Sequence, residues 1–459
     1  MRNFFGIFIK AGTAFIYITY HIFKFVLSPF FRFSRDAQPK PKPYQASFGS
    51  RKNLLSKRHH GFRLTGRENI SAQHSHQNAM IIGGTGTGKS SVVLIPSLLS
   101  MHGSFVVHDP SGELHATTCL ELMERGYKVK VLNFGDGSLS RGFNPLFRAT
   151  TGAEINKVAS MIIRTSFAGK SDPFWDLQGV NLLRLVIHLV KGSNQYESHL
   201  TQVRELIARL SHDSKSLEAD FAELGRADLL NEYQAFQAFD DKVRLGVIAT
   251  VMSALQVFSD EQVAQVTAKD TLNLQKLRQE KTALFIQTPV TDQAYYATLS
   301  AIFFEQLFAT LLQHMPQYDD RDVFCLLDEA SSLYIPSLSI YCANCRKYRV
   351  GILLALQDFA QLVERYGHYD AETIKSNCFA KLYFTGQSLA TCKELEAIVG
   401  KFEYMIESGT QVVRPLLTSD EIRTMPKDQA LLLLGHFKPL QVKLHPYYQK
   451  SLVDKLLKN

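Results

Sequence analysis

Short apolar runs, most of them ending on a polar residue, recur along this chain: Ala79–Ile82, Phe105–Val107, Val129–Leu132, Ala283–Ile286, Val323–Leu327, Ile352–Leu356, Leu382–Phe384 and Ala430–Leu434. An unbroken run such as Val323–Leu327 is what a strand looks like when both of its faces are covered, as in a parallel sheet between layers of helix. The intervals between runs suit helical crossovers, so the pattern predicts an α/β fold. From Glu154 to Leu277 the pattern changes to helical periodicity, with amphipathic segments at Leu200–Leu210 and Leu217–Leu230, and predicts an all-helical domain inserted into the sheet. The N-terminus differs again. Between Phe4 and Phe31 the strongly polar interruptions are Lys10, His21 and Lys24, and the run exceeds the roughly 20 residues that span a bilayer. Lys10, Thr13, Tyr17, Tyr20, His21, Lys24 and Ser28 form one polar stripe. That stripe fits a transmembrane helix facing a partner or an interfacial helix facing headgroups.

These transitions divide the chain into an anchor and linker (1–43), a first nucleotide-domain segment (44–153), the helical insertion (154–277) and a second nucleotide-domain segment (278–459). Pro39, Pro41 and Pro43 alternate with Lys40 and Lys42 and predict an extended linker. Arg32, Arg35, Lys40, Lys42, Arg51, Lys52, Lys57 and Arg58 face one acidic residue, Asp36, and this asymmetry puts the bulk of the chain on the cytoplasmic side. Phe30, Phe31 and Arg32 stand where a cleaved leader would need small residues. With 45% hydrophobic and 20% charged residues the rest is globular, which excludes disordered and fibrous classes. The net charge of +8 suits a polyanionic partner, either nucleic acid or an anionic leaflet. Six cysteines make no disulfide framework, and Cys342-x-x-Cys345 lacks the second pair a structural zinc site needs.

The strongest chemical signal is Gly83-Gly84-Thr85-Gly86-Thr87-Gly88-Lys89-Ser90, a full match to G-x-x-x-x-G-K-[ST] between a short strand and an apolar helix. Glycines let the loop turn its N–H groups toward phosphates, and the helix start adds a favourable dipole. Residues 83–91, from Gly83 to Ser91, are the nucleotide-binding candidates: Lys89 reaches the β- and γ-phosphates, and the Ser90 hydroxyl ligates Mg²⁺. A partner for this loop is Val323-Phe324-Cys325-Leu326-Leu327-Asp328-Glu329, five apolar residues running into two carboxylates. Asp328 then lies beside Mg²⁺, and Glu329 acts as general base on water. An acid of this kind suits hydrolysis of ATP rather than transfer to an acceptor hydroxyl. Asp109, Gln287 and Gln357 end other strands, where ligands of open α/β sheets gather. Gln357 is read either as a γ-phosphate sensor or as a strand-end cap. Arg346, in Arg346-Lys347-Tyr348-Arg349, is read three ways: a solvated helix end, an arginine finger across a subunit boundary, or a contact to DNA phosphates.

Taken in order, further segments resemble the type IV coupling proteins of bacterial conjugation and type IV secretion, from about Gly61 to Tyr448. They are Asp109-Pro110-Ser111-Gly112-Glu113, Phe143-Asn144-Pro145, Asp172-Pro173-Phe174-Trp175, Tyr366-Gly367 after Gln357, Ser376-Asn377-Cys378, Thr391–Gly400 and Arg414-Pro415-Leu416-Leu417. The resemblance implies a RecA-like P-loop core with a mostly parallel sheet, an all-helical insertion, a homo-hexameric ring and an N-terminal membrane helix in the bacterial inner membrane. It implies as substrate a relaxase–DNA complex, DNA or effector proteins, delivered to type IV secretion channel components. A DNA-pumping ring for segregation or packaging and a non-hydrolysing docking receptor are the other classes compatible with a membrane-anchored P-loop chain. Ser111 stands where relatives commonly have lysine, Ala330 where they commonly have phenylalanine, and one apolar segment where many have two.

Overall fold

A computed structural model describes Thr19 and residues 44–167, 172–407 and 409–449. Apart from Thr19, the expected anchor, Phe4–Phe31, and the Pro–Lys linker lie outside the described residues. Among the described residues, no helix is long and apolar enough to cross a membrane.

Among the described residues, nine strands form the main sheet: β1 (Ala79–Ile82), β2 (Ser104–His108), β3 (Lys128–Asn133), β4 (Thr282–Gln287), β5 (Val323–Leu327), β6 (Val350–Leu356), β7 (Ala380–Phe384), β10 (Gln429–Leu434) and β11 (Leu440–Lys443). Their order is β11-β10-β7-β1-β6-β5-β2-β4-β3. From β7 to β3 every neighbouring pair is parallel, while β10 runs antiparallel to both β7 and β11. The apolar runs explain this. Alternate residues of β5 feed opposite cores, with Val323, Cys325 and Leu327 on one side and Phe324 and Leu326 on the other, all buried. Burying each such side chain contributes about 1.5–3 kcal/mol, and an unbroken run collects it on both faces. Asn78 fixes the register where β1 begins: its Oδ1 accepts the Ile352 N–H (3.1 Å), and its Nδ2 donates to the carbonyls of Cys342 (2.8 Å) and Asn377 (3.1 Å).

Helix α1 (Ile95–Ser100) follows β1, and α2 (Glu113–Glu124) follows β2; both pack on the face that holds Ile81, Val107 and Leu326. Between β3 and β4 come α3 (Gly152–Phe167), α4 (Pro173–Gly192), α5 (Leu200–Leu210), α6 (Glu218–Glu223), α7 (Ala227–Gln237), α8 (Asp241–Ala254) and α9 (Glu261–Thr267). Their apolar faces share one hydrophobic cluster with the other side of the sheet. Two of the family-like segments have structural work here. Asp172 caps α4 by accepting the Phe174 N–H (2.8 Å), with Pro173 preset for the first helical position. Phe143 is buried, and Asn144 Nδ2 donates to Ser198 O (2.7 Å). The chain entering and leaving the helices is joined by Thr271 N–H to Gly142 O (2.9 Å) and by the bidentate Arg148–Asp270 pair at 2.7 and 2.8 Å.

Beyond β4 lie α10 (Ala297–Leu311), α11 (Leu338–Asn344), α12 (Phe359–Tyr366), α13 (His368–Ser376), α14 (Leu389–Val399) and α15 (Ser419–Arg423). Among the described residues, those of Ser47–Gly400 and those from Pro415 make one compact unit. Lys401–Arg414 groups separately with residues 44–46; there β8 (Lys401–Met405) and β9 (Gln411–Pro415) form a two-stranded sheet, and Gln45 bridges Phe402.

Candidate nucleotide-binding site

The glycine loop leaves the carboxyl end of β1 and is pinned from both sides. Gly83 N–H donates to Leu356 O at the end of β6 (3.1 Å), while Gln387 Nε2 donates to Ile82 O (2.9 Å) and Phe384 O (2.8 Å). Gly83 is required by crowding, since a Cβ there would meet Thr87 Oγ1 at 2.6 Å and Phe384 Cβ at 2.8 Å. Gly88 is required by conformation: its φ of +99° closes the loop into the helix. Thr87 Oγ1 braces the turn on Gly84 O (2.8 Å), and the Lys89 ammonium is held by Gly83 O (2.5 Å) and Gly84 O (3.2 Å).

The first helical turns, Lys89–Leu94, are wide: Ile95 N–H reaches Ser90 O in an i→i+5 bond. This leaves the Ser91 carbonyl to Tyr447 N–H (2.9 Å), so the C-terminal segment braces the loop's helix. Neither Gln387 nor Tyr447 was legible as part of this region in the sequence, because both act over long separations.

The acidic pair ends β5, two strands from β1 with β6 between them. Asp328 is buried, and its Oδ1 accepts the Glu329 N–H (3.0 Å). Burial pushes its carboxyl up to about 6, with the charges of Glu329 and Asp109 acting the same way and the Glu329 amide and Lys89 opposing them. Burial in turn lowers the Lys89 ammonium, while Asp328 and Glu329 raise it. Lys89, Asp328 and Glu329 thus share one electrostatic neighbourhood. Asp109 joins it: its two oxygens accept Leu114 N–H (3.2 Å) and His115 N–H (2.8 Å) at the start of α2, Gln287 bonds it, and burial raises its carboxyl. Gln357 follows β6 directly, one residue beyond the Leu356 carbonyl that holds the loop.

Arg346 is not brought to this neighbourhood. It lies just before β6 begins, so the seven residues of that strand separate it from the carboxyl edge by about 20 Å. There, with Gln73, His76, Ala343, Asn344 and Lys347, it lines a pocket of 420 Å³ in which no acidic side chain takes part. Cys342 and Cys345 are buried thiols, and among the described residues no cluster of three His, Cys, Asp or Glu side chains is arranged to hold a metal.

One stability prediction follows from Asp328. Its folded pKa lies above the unfolded value, so the folded chain binds the proton more tightly, and stability falls as pH rises from about 4 to about 6. Above that window the buried charge costs on the order of 3 kcal/mol. Asp328→Asn, melted in chelator at pH 8, is expected to raise Tm by a few degrees, an advantage that vanishes below about pH 4. A lower Tm at pH 8 would show the carboxylate to be better compensated than this.

The family model described as type IV secretory system conjugative DNA transfer matches residues 43–459. The chain belongs to this family. Among family relatives it is 27% identical to the conjugal transfer protein TraG of Escherichia coli over 389 residues, which is 74% of this chain and 60% of that protein. It is 22% identical to the type IV secretion system-coupling protein VirD4 of Bartonella quintana, over 77% of this chain and 57% of that one. The chain thus spans about 60% of the length of such relatives. Its fold matches that of the plasmid coupling protein TrwB solved with ADP and Mg²⁺, with a TM-score of 0.66 at 18% identity over 88% of this chain and 95% of that one. This conjugative-transfer family member therefore has a RecA-like α/β fold with a mostly parallel sheet.

Proposed function

We propose that this chain is an Mg²⁺-dependent ATPase of the coupling-protein type, which recruits DNA, as a relaxase–DNA complex, or effector protein and drives it into a type IV secretion channel. The observation that carries the reading is the gathering of Lys89 and the Asp328–Glu329 pair at one edge of the sheet, on either side of β6. In this reading Lys89 and the loop N–H groups offset the charge of the triphosphate, and Glu329 takes the proton of the attacking water. Gln357 orients that water or senses the γ-phosphate. Ser90 and Asp328 would hold Mg²⁺, and the fit is chemical: Asp328 is a buried carboxylate with more negative than positive charge around it. The ion would supply charge neutralisation at the phosphate oxygens. TrwB has been solved with ADP and Mg²⁺ and with an ATP analogue, which favours the same ligands here.

The Phe4–Phe31 segment would anchor the ATPase in the inner membrane, with six copies forming the ring and the bulk of each on the cytoplasmic side. For Arg346 the reading its surroundings favour is a polyanion contact, because it and Lys347 are exposed in a pocket lined by no acid. DNA affinity should then fall steeply with salt. Arg346→Ala/Lys347→Ala should flatten the log–log salt slope by roughly 1 to 2 with little sequence preference, measured by fluorescence anisotropy. An unchanged slope removes both residues from the DNA surface. The function itself is tested by purifying a Glu329→Gln variant from native membranes and identifying its cargo. Relaxase with DNA, or effector protein, supports coupling; recovery of channel components and ring partners with no cargo, together with undiminished transfer, defeats it.

A further inference from the structure

β2 ends on a histidine that the hydrolysis reading leaves unused. His108 is buried, and its Nδ1 lies 2.7 Å from the main-chain carbonyl oxygen of Asp328 on the neighbouring strand. A carbonyl only accepts, so the ring carries a proton on Nδ1 and donates it. Burial holds the imidazole down to about 4, which keeps it neutral at physiological pH. Its face is fixed by an edge-on contact with Phe304, at 6.3 Å between ring centres. The backbone repeats the grip, since Asp328 N–H donates to His108 O at 3.2 Å.

The carbonyl that His108 holds belongs to the peptide joining Asp328 to Glu329. The N–H at the other end of that peptide is held too, by Asp328 Oδ1 at 3.0 Å. Beyond it Glu329 has a φ of +48°, a left-handed conformation that a glutamate rarely adopts. Such a residue persists where its surroundings over-determine it. The following backbone is also tied: Ala330 N–H donates to Ala355 O (2.9 Å) and Ser332 N–H to Glu329 O (2.8 Å). Since φ measures rotation away from the preceding peptide plane, a fixed plane sets the direction in which the Glu329 side chain leaves the strand end.

We propose that His108 is a positioning residue for hydrolysis: its Nδ1–H clamps the Asp328–Glu329 peptide and so holds Glu329 in the left-handed conformation from which its carboxylate acts on water. The inference rests on the reading of Glu329 as general base. The bond reaches from β2 to β5, so it ties the Asp109 segment that starts α2 to the acidic pair.

The test uses the full-length chain with His108→Leu and His108→Asn, each alone and combined with Glu329→Gln. Leucine fills the space without a donor, and the asparagine amide can donate from nearly the Nδ1 position. Displacing a reacting group by about 1 Å can cost on the order of a hundredfold, so His108→Leu is expected to lower kcat roughly ten- to hundredfold. KM for ATP and ADP affinity should stay within about threefold, because the loop of Gly83 to Ser91 is untouched. His108→Asn should recover most of the turnover. In the Glu329→Gln background His108→Leu should add almost nothing, since a residue that acts through another has no effect once the other is gone. Full kcat in His108→Leu, a multiplicative loss on top of Glu329→Gln, or loss of ADP affinity in both histidine variants would overturn the inference. Unchanged turnover in Glu329→Gln alone would instead remove the general-base reading, and the inference with it; a fall there beside an inert His108→Leu removes the inference only.

Discussion

Glu329→Gln is expected to bind ATP with near-native affinity and to hydrolyse it at least a hundredfold more slowly. Glutamine keeps the length and much of the hydrogen bonding of the side chain but cannot take a proton from water, and general-base removal costs typically 10²–10⁴-fold. Binding should survive because the contacts proposed for the phosphates come from the glycine loop and Lys89, which are held through Leu356, Gln387 and Thr87 and not through the Glu329 carboxylate. The Glu329 backbone bonds to Asp328 and Ser332, and the neighbouring bond from Ala330 N–H to Ala355 O, do not use its side chain, so the left-handed turn should persist in the variant. Isothermal titration with ATP and a phosphate-release assay check the two halves. Turnover within a factor of a few of the native chain would take Glu329 out of the mechanism.

Why the acidic pair and the loop were legible in the sequence, while their surroundings were not, comes down to range. A strand covered on both faces writes itself as consecutive apolar residues, so Val323–Leu327 and Ile352–Leu356 could be read locally. The glycine loop is equally local, since its chemistry sits within eight residues. β7 is longer than its apolar run because Lys381 belongs to it, laying its stem in the sheet and donating its ammonium to Cys378 O at 2.6 Å. β11 has only four residues, too few for an alternating pattern to stand out, and it forms by pairing with β10. His108, Gln387 and Tyr447 hold the site through partners 220, 305 and 356 positions away, and no local spacing reports such a bond. Arg346 is the converse case. It stands between the acidic pair and Gln357 in sequence, but α11 carries the chain back across the sheet, so that β6 starts at the opposite edge.

Lys89→Ala should remove both binding and turnover, and the charges around Lys89 say why the loss should exceed that of one hydrogen bond. The ammonium is the positive partner of Asp328 and Glu329, and burial already disfavours its charge. Carried onto the β- and γ-phosphates, it would meet up to four negative charges in a partly dry cleft, where charge-assisted bonds are roughly twice as strong as neutral ones. ATP affinity is therefore expected to fall by at least tenfold to a hundredfold, and kcat further still. The free protein should change as well. Without Lys89 the Asp328 carboxyl loses the side-chain charge that holds it down, so its pKa should climb above about 6 and the stability lost with rising pH should grow. Lys89→Ala melted in chelator should therefore lose more stability between pH 5 and pH 8 than the native chain does. Adding Asp328→Asn should restore most of the loss at pH 8 while leaving the chain unable to hydrolyse ATP. The two substitutions then couple in stability, as neighbours in one charge network do. Strict additivity of their effects on Tm would mean that Lys89 and Asp328 do not feel each other, and would separate the glycine loop from the acidic strand as parts of one site.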